Sequence, residues 1–413
     1  MAQLNITLNQ EEILQLLSAD RDEAFKSLLQ NSLNSILKAE STAQLKAEPY
    51  ERTEAREGSR NGFRERQLST RIGTITLSVP KHRDGEPFST LIFDNYSRSE
   101  AALIACMAEM VVEGVSTRKV SNVIETLCGT SYSKSTVSEA CKELDKAVDE
   151  FRNRKLDDSY PFLTVDATYF KARENHRVIS KAFMVAYGTN STGLREIIGF
   201  GVYKCESFET WKAFLQSLKD RGLKDVLMIT SDAHEGLKQA LNKVFPDSPW
   251  QRCQFHFAKN ISEQAPKKYQ AGLRSELNQM FNCETIEDAR RKCDEIIADY
   301  QDIAEASMQC LDEGFESAMT VMTLPKRLRL YFRTSNHLER INKELKRRSK
   351  VIGVFPNEDS IIRLMGSVLI ELNDLRSSHQ SIFTSKGYQK LLNSDTPKKL
   401  VNIAIEQRNM LAA

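Results

Sequence analysis

Three carboxylates stand out in this sequence because of what surrounds each. Asp166 lies inside a β-rich run, Phe162–Phe170, where a buried charge is costly unless it is paired or holds a metal ion. Asp232 follows a short apolar run, Val226–Thr230. Glu339 sits in a basic stretch, 334–350, in which Leu338, Ile341 and Leu345 recur at helical spacing. Glu339, Asn342, Lys343 and Lys346 share a second, polar face of that helix. Carboxylates are hard oxygen donors, and two or three suffice for magnesium, which keeps several of its own waters; manganese can take its place. Two such ions about 3.5–4 Å apart can clamp the attacking and leaving oxygens of an in-line displacement at phosphorus. With cations on the same helix to hold phosphates, the chemistry expected is metal-dependent cleavage of a phosphodiester.

Simpler explanations compete for each residue. Asp232-Ala-His-Glu235 and Asn336-His-Leu-Glu339 both have the spacing of a capping box, with Asp232 as an N-cap and Glu339 at the third helical position. A cap contributes on the order of 1 kcal/mol and tolerates an amide, whereas an amide cannot replace a charged metal ligand. A rival glutamate, Glu344, stands four residues from both Arg340 and Arg348 and is better explained as an ion-pair partner. His337-x-x-Arg340, with His379 and Tyr388 downstream, resembles part of a tyrosine-recombinase site, in which the tyrosine attacks phosphorus without metal. The gap from Arg340 to His379 is long for that site, and no linked upstream arginine motif accompanies it.

The elements that must position these groups follow from periodicity. Strands are expected at Phe162–Phe170, Val178–Tyr187, Arg195–Val202, Val226–Thr230 and Trp250–Phe257. Helices are expected on Phe208, Trp211, Phe214, Leu215 and Leu218, and on Leu237, Ala240, Leu241 and Val244. The result is an α/β core whose Asp166 and Asp232 lie on strands that can be neighbours. Its segments, 160–262 and 326–376, are divided by a helical insertion at 263–325, and a tail at 377–413 is frayed or a short helical hairpin. Upstream, 1–50 reads as an N-terminal helical region and 51–97 as a basic hairpin and linker, with Arg60 and Arg64 suited to nucleic-acid backbone. The region 98–155 contains a buried helix, Ala101–Val112. It also has two helix starts, Val115–Val120 and Ser133–Ser138, joined through Gly129. That pattern resembles a helix-turn-helix DNA reader, with Arg118, Lys119 and Lys134 as candidate contacts.

In a chain of 413 residues with 40% hydrophobic content, there is enough apolar material for a sizeable core in two to four domains. Net charge is only +2, so any nucleic-acid surface depends on local segregation. Residues 326–350 supply it, with ten Lys/Arg against two Glu. Eight scattered cysteines suit a reducing compartment, and no signal peptide or membrane-length apolar run is present. A soluble, cytoplasmic protein is therefore expected.

Several stretches occur together and in order. They are Arg60-Asn-Gly-Phe-Arg-Glu-Arg66, Gly114-Val-Ser-Thr-Arg-Lys-Val120, Val165-Asp-Ala-Thr-Tyr-Phe-Lys171, Ser231-Asp-Ala-His-Glu-Gly-Leu-Lys238, Trp250-Gln-Arg-Cys-Gln-Phe-His256, the 334–348 helix and Gly353-Val-Phe-Pro-Asn357. Over nearly its whole length the chain resembles the mutator-type transposases of bacterial insertion sequences. The resemblance implies an RNase H-like catalytic core with a DDE triad, here Asp166, Asp232 and Glu339. It implies binding to the element's terminal inverted repeats and to target DNA, then hydrolysis at the ends and attack of the freed 3′-hydroxyl on another strand. A covalent protein–DNA intermediate is not required, and because two ends must meet, a homodimer is expected. The Cys-x-x-His feature of such proteins falls on Cys253 and His256. Two ligands fall short of the four of a structural zinc site, so a packing or active-site support role is expected. Arg340, Lys343, Lys346 and Arg347 are the candidate DNA contacts of the basic helix. The non-enzymatic alternative, a repressor derived from a transposase, would be marked by loss of a triad carboxylate, and all three are present.

Overall fold

A computed structural model describes residues 21–51, 53, 56–70, 73–84, 86–90, 101–128, 133–377 and 381–412. The chain divides into two units, Met1–Glu143 and Leu144–Ala413.

In the first unit a long helix, α1 (Arg21–Leu45), packs on an antiparallel hairpin, β1 (Ser59–Thr70) and β2 (Gly73–Arg83). Both strands are longer than the apolar alternation indicates. Leu68, Ile75, Leu77 and Val79 present the period-two face of the hairpin to Leu37, forming a small core. Gly62, at φ +72°, lies where the register shifts between Arg60 and Phe63, a bulge that suits a residue without a Cβ. Three helices follow, α2 (Ala101–Val112), α3 (Thr117–Cys128) and α4 (Lys134–Ala140), clustered on Met107, Val120, Ile124 and Val137. Ser133 caps α4, accepting the Thr136 N–H at 3.1 Å, as its position predicts. Helix α2 is less buried than its composition suggests, since Ala105 and Cys106 face outward. Residues 1–20 of the expected N-terminal helical region and the junction at Gly129 lie outside the described residues.

In the second unit α5 (Leu144–Asn153) leads into a five-stranded mixed sheet. Its strands are β3 (Phe162–Glu174), β4 (Arg177–Thr189), β5 (Arg195–Tyr203), β6 (Met228–Ser231) and β7 (Trp250–Arg252), ordered β5-β4-β3-β6-β7. The first three form an antiparallel meander, and β6 and β7 join it in parallel. Helices α6 (Phe208–Asp220) and α7 (Glu235–Val244) turn Trp211, Phe214, Leu215, Leu218, Leu237 and Leu241 onto Val165, Met184 and Ile198. Helix α14 (Glu358–Ser377) packs on β5 and α5; a Cβ at its Gly366 would meet Val148 and Phe200.

One strand expectation is half wrong. The extended backbone of Trp250–Phe257 stops at Arg252, and α8 (Gln254–Gln264) begins at once. Cys253, Phe257 and Ile261, four residues apart and all buried, carry a helical period that a short apolar run conceals. Helices α8, α9 (Gln270–Phe281), α10 (Ile286–Tyr300) and α11 (Glu305–Met319) share a core of Phe257, Leu273, Leu277, Cys293, Leu311 and Phe315. The chain then returns through α12 (Lys326–Phe332) and the basic helix α13 (Asn336–Ser349). After α14, helices α15 (Ser385–Leu392) and α16 (Thr396–Ala412) contact each other as a hairpin, burying Leu391 and Leu400 near Phe162 and Phe332. Among the described residues, no helix is long and apolar enough to cross a membrane.

Candidate active site

Strand register places the two aspartates. The parallel pairing of β3 with β6 runs from Phe162↔Met228 to Thr164↔Thr230, and Asp166 and Asp232 each lie two residues beyond the last pair. They leave the ladder at one level, past the carboxyl end of β6, where open α/β sheets bind ligands. Each is steadied by the next backbone amide: Ala167 N–H donates to Asp166 Oδ1 at 2.9 Å, and Ala233 N–H to Asp232 Oδ1 at 2.7 Å.

The corner before α13 delivers the glutamate. Thr230 Oγ1 donates to the Phe332 carbonyl at 2.8 Å, and Gln254 N–H to the Arg333 carbonyl at 3.0 Å. The Cys253 sulfur accepts from the Ser335 amide at 3.3 Å and hydroxyl at 3.2 Å. These bonds stitch the start of α13 to the ends of β6 and β7, while Leu338, Ile341 and Leu345 anchor it as fully buried side chains. Buried Asn342, one turn after Glu339, donates Nδ2 to Asp166 Oδ2 at 2.8 Å. From the first turn of α8, His256 sets Nε2 3.6 Å from Glu339 Oε1. The field of Asp232 also acts on that imidazole, and the imidazole's field acts on Asp166. His256 thus stands against Glu339, and Asn342 ties the helix of Glu339 to the strand of Asp166.

Burial pushes the Asp166 pKa up to about 6, against the Ala167 N–H and His256, with the negative charges of Asp232 and Glu206 adding to the rise. The His256 pKa rises to about 9, chiefly through the Cys253 sulfur, with Asp232 and Glu339 helping to outweigh burial. Glu339 Oε1 is buried and accepts no hydrogen bond. Hard oxygen donors at the end of one sheet, with a buried oxygen of Glu339 left unsatisfied, fit a site that takes a metal ion. A second donor set overlaps it: the ligand atoms of Cys253, His256 and Glu339 lie within 4.8 Å of one another and could hold a metal ion.

Neither capping box forms. Helix α7 begins at Glu235 with His234 at its N-cap, so Asp232 stands outside it, and α13 begins after Ser335, which puts Glu339 one position beyond the capping site. Glu344 is an ion-pair residue as expected, but with Arg347 at 2.6 Å and Arg348 at 2.8 Å, which bring its pKa down to about 2. Among the candidate DNA contacts, Arg64, Arg118, Lys119 and Lys134 are exposed on the first unit, and Arg340, Lys343, Lys346 and Arg347 on α13. Arg60 is the exception. Its Nη2 donates to Thr42 Oγ1 at 2.9 Å and the Ala47 carbonyl at 2.7 Å, bracing the hairpin against α1. The tyrosine-recombinase reading fails at Tyr388, which is buried in an apolar cluster with its hydroxyl 3.0 Å from Ser159 Oγ; His379 lies outside the described residues. Sequence reasoning missed Glu206, whose charge acts on Asp166, and it placed Asn342 on the face of Glu339 without finding its partner.

The mixed sheet, the N-terminal helices and the acids past the end of β6 are consistent with the RNase H-like fold of DDE transposases. A family model described as Transposase, Mutator family, matches residues 1–377, and the chain belongs to that family. Relatives include the transposase for insertion sequence element IS256 in transposon Tn4001 of Staphylococcus aureus, 42% identical over 392 residues, or 94% of this chain and 99% of the relative. The transposase for element ISRM5 of Rhizobium meliloti is 34% identical across 93% of this chain and 94% of its own length. That for IS1081 of Mycobacterium tuberculosis is 37% identical across 89% of each. The protein is a DNA transposase of the insertion-sequence kind, and nothing in these relationships supports recombination through a tyrosine.

Proposed function

We propose that this transposase cuts and joins DNA at the terminal inverted repeats of its own insertion sequence, with Asp166, Asp232 and Glu339 as catalytic residues and metal ligands. The observation that carries the reading is the register that brings Asp166 and Asp232 to one level at the end of β6, with Asn342, one turn from Glu339, bonded to Asp166 at 2.8 Å. Magnesium, or manganese in its place, held by them would activate the attacking oxygen and offset charge on the leaving one. Asn342 fixes the Asp166 carboxylate, and His256 balances the clustered negative charge, with Cys253 supporting its ring. Exposed Arg340, Lys343 and Lys346 run along α13 beside Glu339, where they grip the backbone of the strand being cut. Hydrolysis frees a 3′-hydroxyl at the element end, which then displaces a 3′-oxygen from phosphorus on a second strand. In this reading 160–262 and 326–376 form an RNase H-like core interrupted by the helical insertion. The basic hairpin and the helices of 98–155 hold DNA, and a homodimer brings two ends together.

The test is isosteric removal of charge. Asp166→Asn, Asp232→Asn and Glu339→Gln are each expected to reduce plasmid excision and strand transfer to background. Thermal unfolding and repeat binding should stay near wild type, and Tyr388→Phe should remain active. Excision retained by Glu339→Gln would remove this residue from the metal site.

A further inference from the structure

Helices α8 and α9 and the α12–α13 corner line an open pocket of about 460 Å³. Phe255, which precedes His256, contributes a ring that keeps 48% of its surface exposed while its neighbour Phe257 is buried in the insertion core. Lys259, Arg274 and Arg333 bring positive charge, Asn278 and Asn336 bring side-chain amides, and among the described residues no acid lines the pocket. The cations are lightly held: Lys259 reaches Glu263 at only 3.9 Å, and Arg333 gives one guanidinium nitrogen to Asn282 at 2.8 Å. The size suits a single small ligand and excludes a duplex.

These groups match the parts of one nucleotide. An exposed phenyl face stacks any base. Clustered lysine and arginine neutralise phosphate. Side-chain amides can donate to and accept from a base edge that is no longer paired. An acidic peptide would account for the cations but leave the ring without a purpose. Asn336 opens the helix that carries Glu339, and Phe255 adjoins His256, so the pocket and the carboxylates are built on the same two helices.

We propose that the pocket takes one nucleotide of the DNA end, unstacked from the duplex, with its base on Phe255 and its phosphate among Lys259, Arg274 and Arg333. The proposal rests on the reading of Asp166, Asp232 and Glu339 as the cutting site. Extrusion there would bend the strand where it is cut and fix its register against the carboxylates.

The experiment uses duplexes carrying the element's terminal repeat and flank, with 2-aminopurine at one position at a time, titrated with the full chain in EDTA so that nothing is cut. One position near the cleavage point should brighten several-fold with wild type. In Phe255→Ala most of that brightening should disappear and affinity should fall roughly tenfold. Phe255→Tyr should preserve both, and Arg274→Glu should reduce both. Both substituted side chains are exposed, so folding is not at stake. Binding without brightening at any position, or equal brightening in Phe255→Ala, overturns the proposal. So does a change of oligomeric state in Phe255→Ala with fluorescence unaltered, which would make the pocket a seat for a second copy. Brightening combined with active triad variants would instead overturn the cutting-site reading, and failure to bind any repeat duplex would overturn both.

Discussion

Asn342 joins the helix of Glu339 to the strand of Asp166 through a single amide, Nδ2 to Oδ2 at 2.8 Å, while its own Oδ1 is buried without a hydrogen bond. An amide held in this way leaves Asp166 one orientation for its remaining oxygen. Asn342→Ala is therefore expected to lower excision by roughly 10–100-fold and to raise the magnesium concentration needed for half-maximal rate. Unfolding free energy should fall by only about 1–3 kcal/mol. A magnesium titration of excision checks this, and an unchanged metal requirement would reduce Asn342 to a packing residue. The residue's position on the face of Glu339 was legible, because three residues are nearly one helical turn. Its partner was not, since that contact depends on how α13 crosses β3, which no local spacing encodes. Local spacing also misled: Asp232 and Glu339 both fit capping boxes, and both helices begin where those boxes do not close.

At the scale of elements, α13 is fastened by Arg348, which is buried and donates to Glu344 at 2.8 Å and to the two oxygens of Glu371 on α14 at 3.0 and 3.1 Å. A buried guanidinium is tolerable only with such partners. The Glu344 pKa falls from 4.5 to about 2, through Arg347 first and Arg348 second. A carboxylate whose pKa is lower in the folded chain stabilises fully above its unfolded value and loses that contribution as pH falls through the folded one. The advantage of wild type over Glu344→Gln should thus be roughly 2–3 kcal/mol at pH 5 and should disappear between about pH 4.5 and 2, as read by urea unfolding. A gap independent of pH would assign the stabilisation to packing. The ion-pair role of Glu344 was legible from helical spacing, but the choice of Arg347 over Arg340 was not, because both lie within reach on one face. The apolar stripe of α13 needs no distant information and appears as expected. Trp250–Phe257 does not, because eight residues cannot separate a strand from a strand that ends in a helix.

Over the whole molecule a net charge of +2 coexists with exposed cations concentrated on particular faces, so affinity for DNA must be local and sensitive to salt. The two units carry different sets. Arg118 and Lys119 are exposed at the start of α3, in a small helical cluster, whereas Lys343 and Lys346 lie along the helix that carries Glu339. The sequence shows where cations cluster, but not which of them remain exposed, as Arg60 demonstrates by turning inward. In the full chain, log affinity should fall linearly with log salt, with a slope of about −0.9 per phosphate held. Replacing Lys343 and Lys346 by Ala should make that slope shallower by about 2 and weaken repeat and random duplexes alike, since phosphate contacts carry no base information. Replacing Arg118 and Lys119 by Ala should weaken the repeat more than the random duplex, so that the ratio of the two affinities contracts towards one. Both comparisons come from one anisotropy titration series over several salt concentrations. If Arg118 and Lys119 changed slope without changing the ratio, the first unit would grip DNA without reading it, and discrimination would have to come from the catalytic unit.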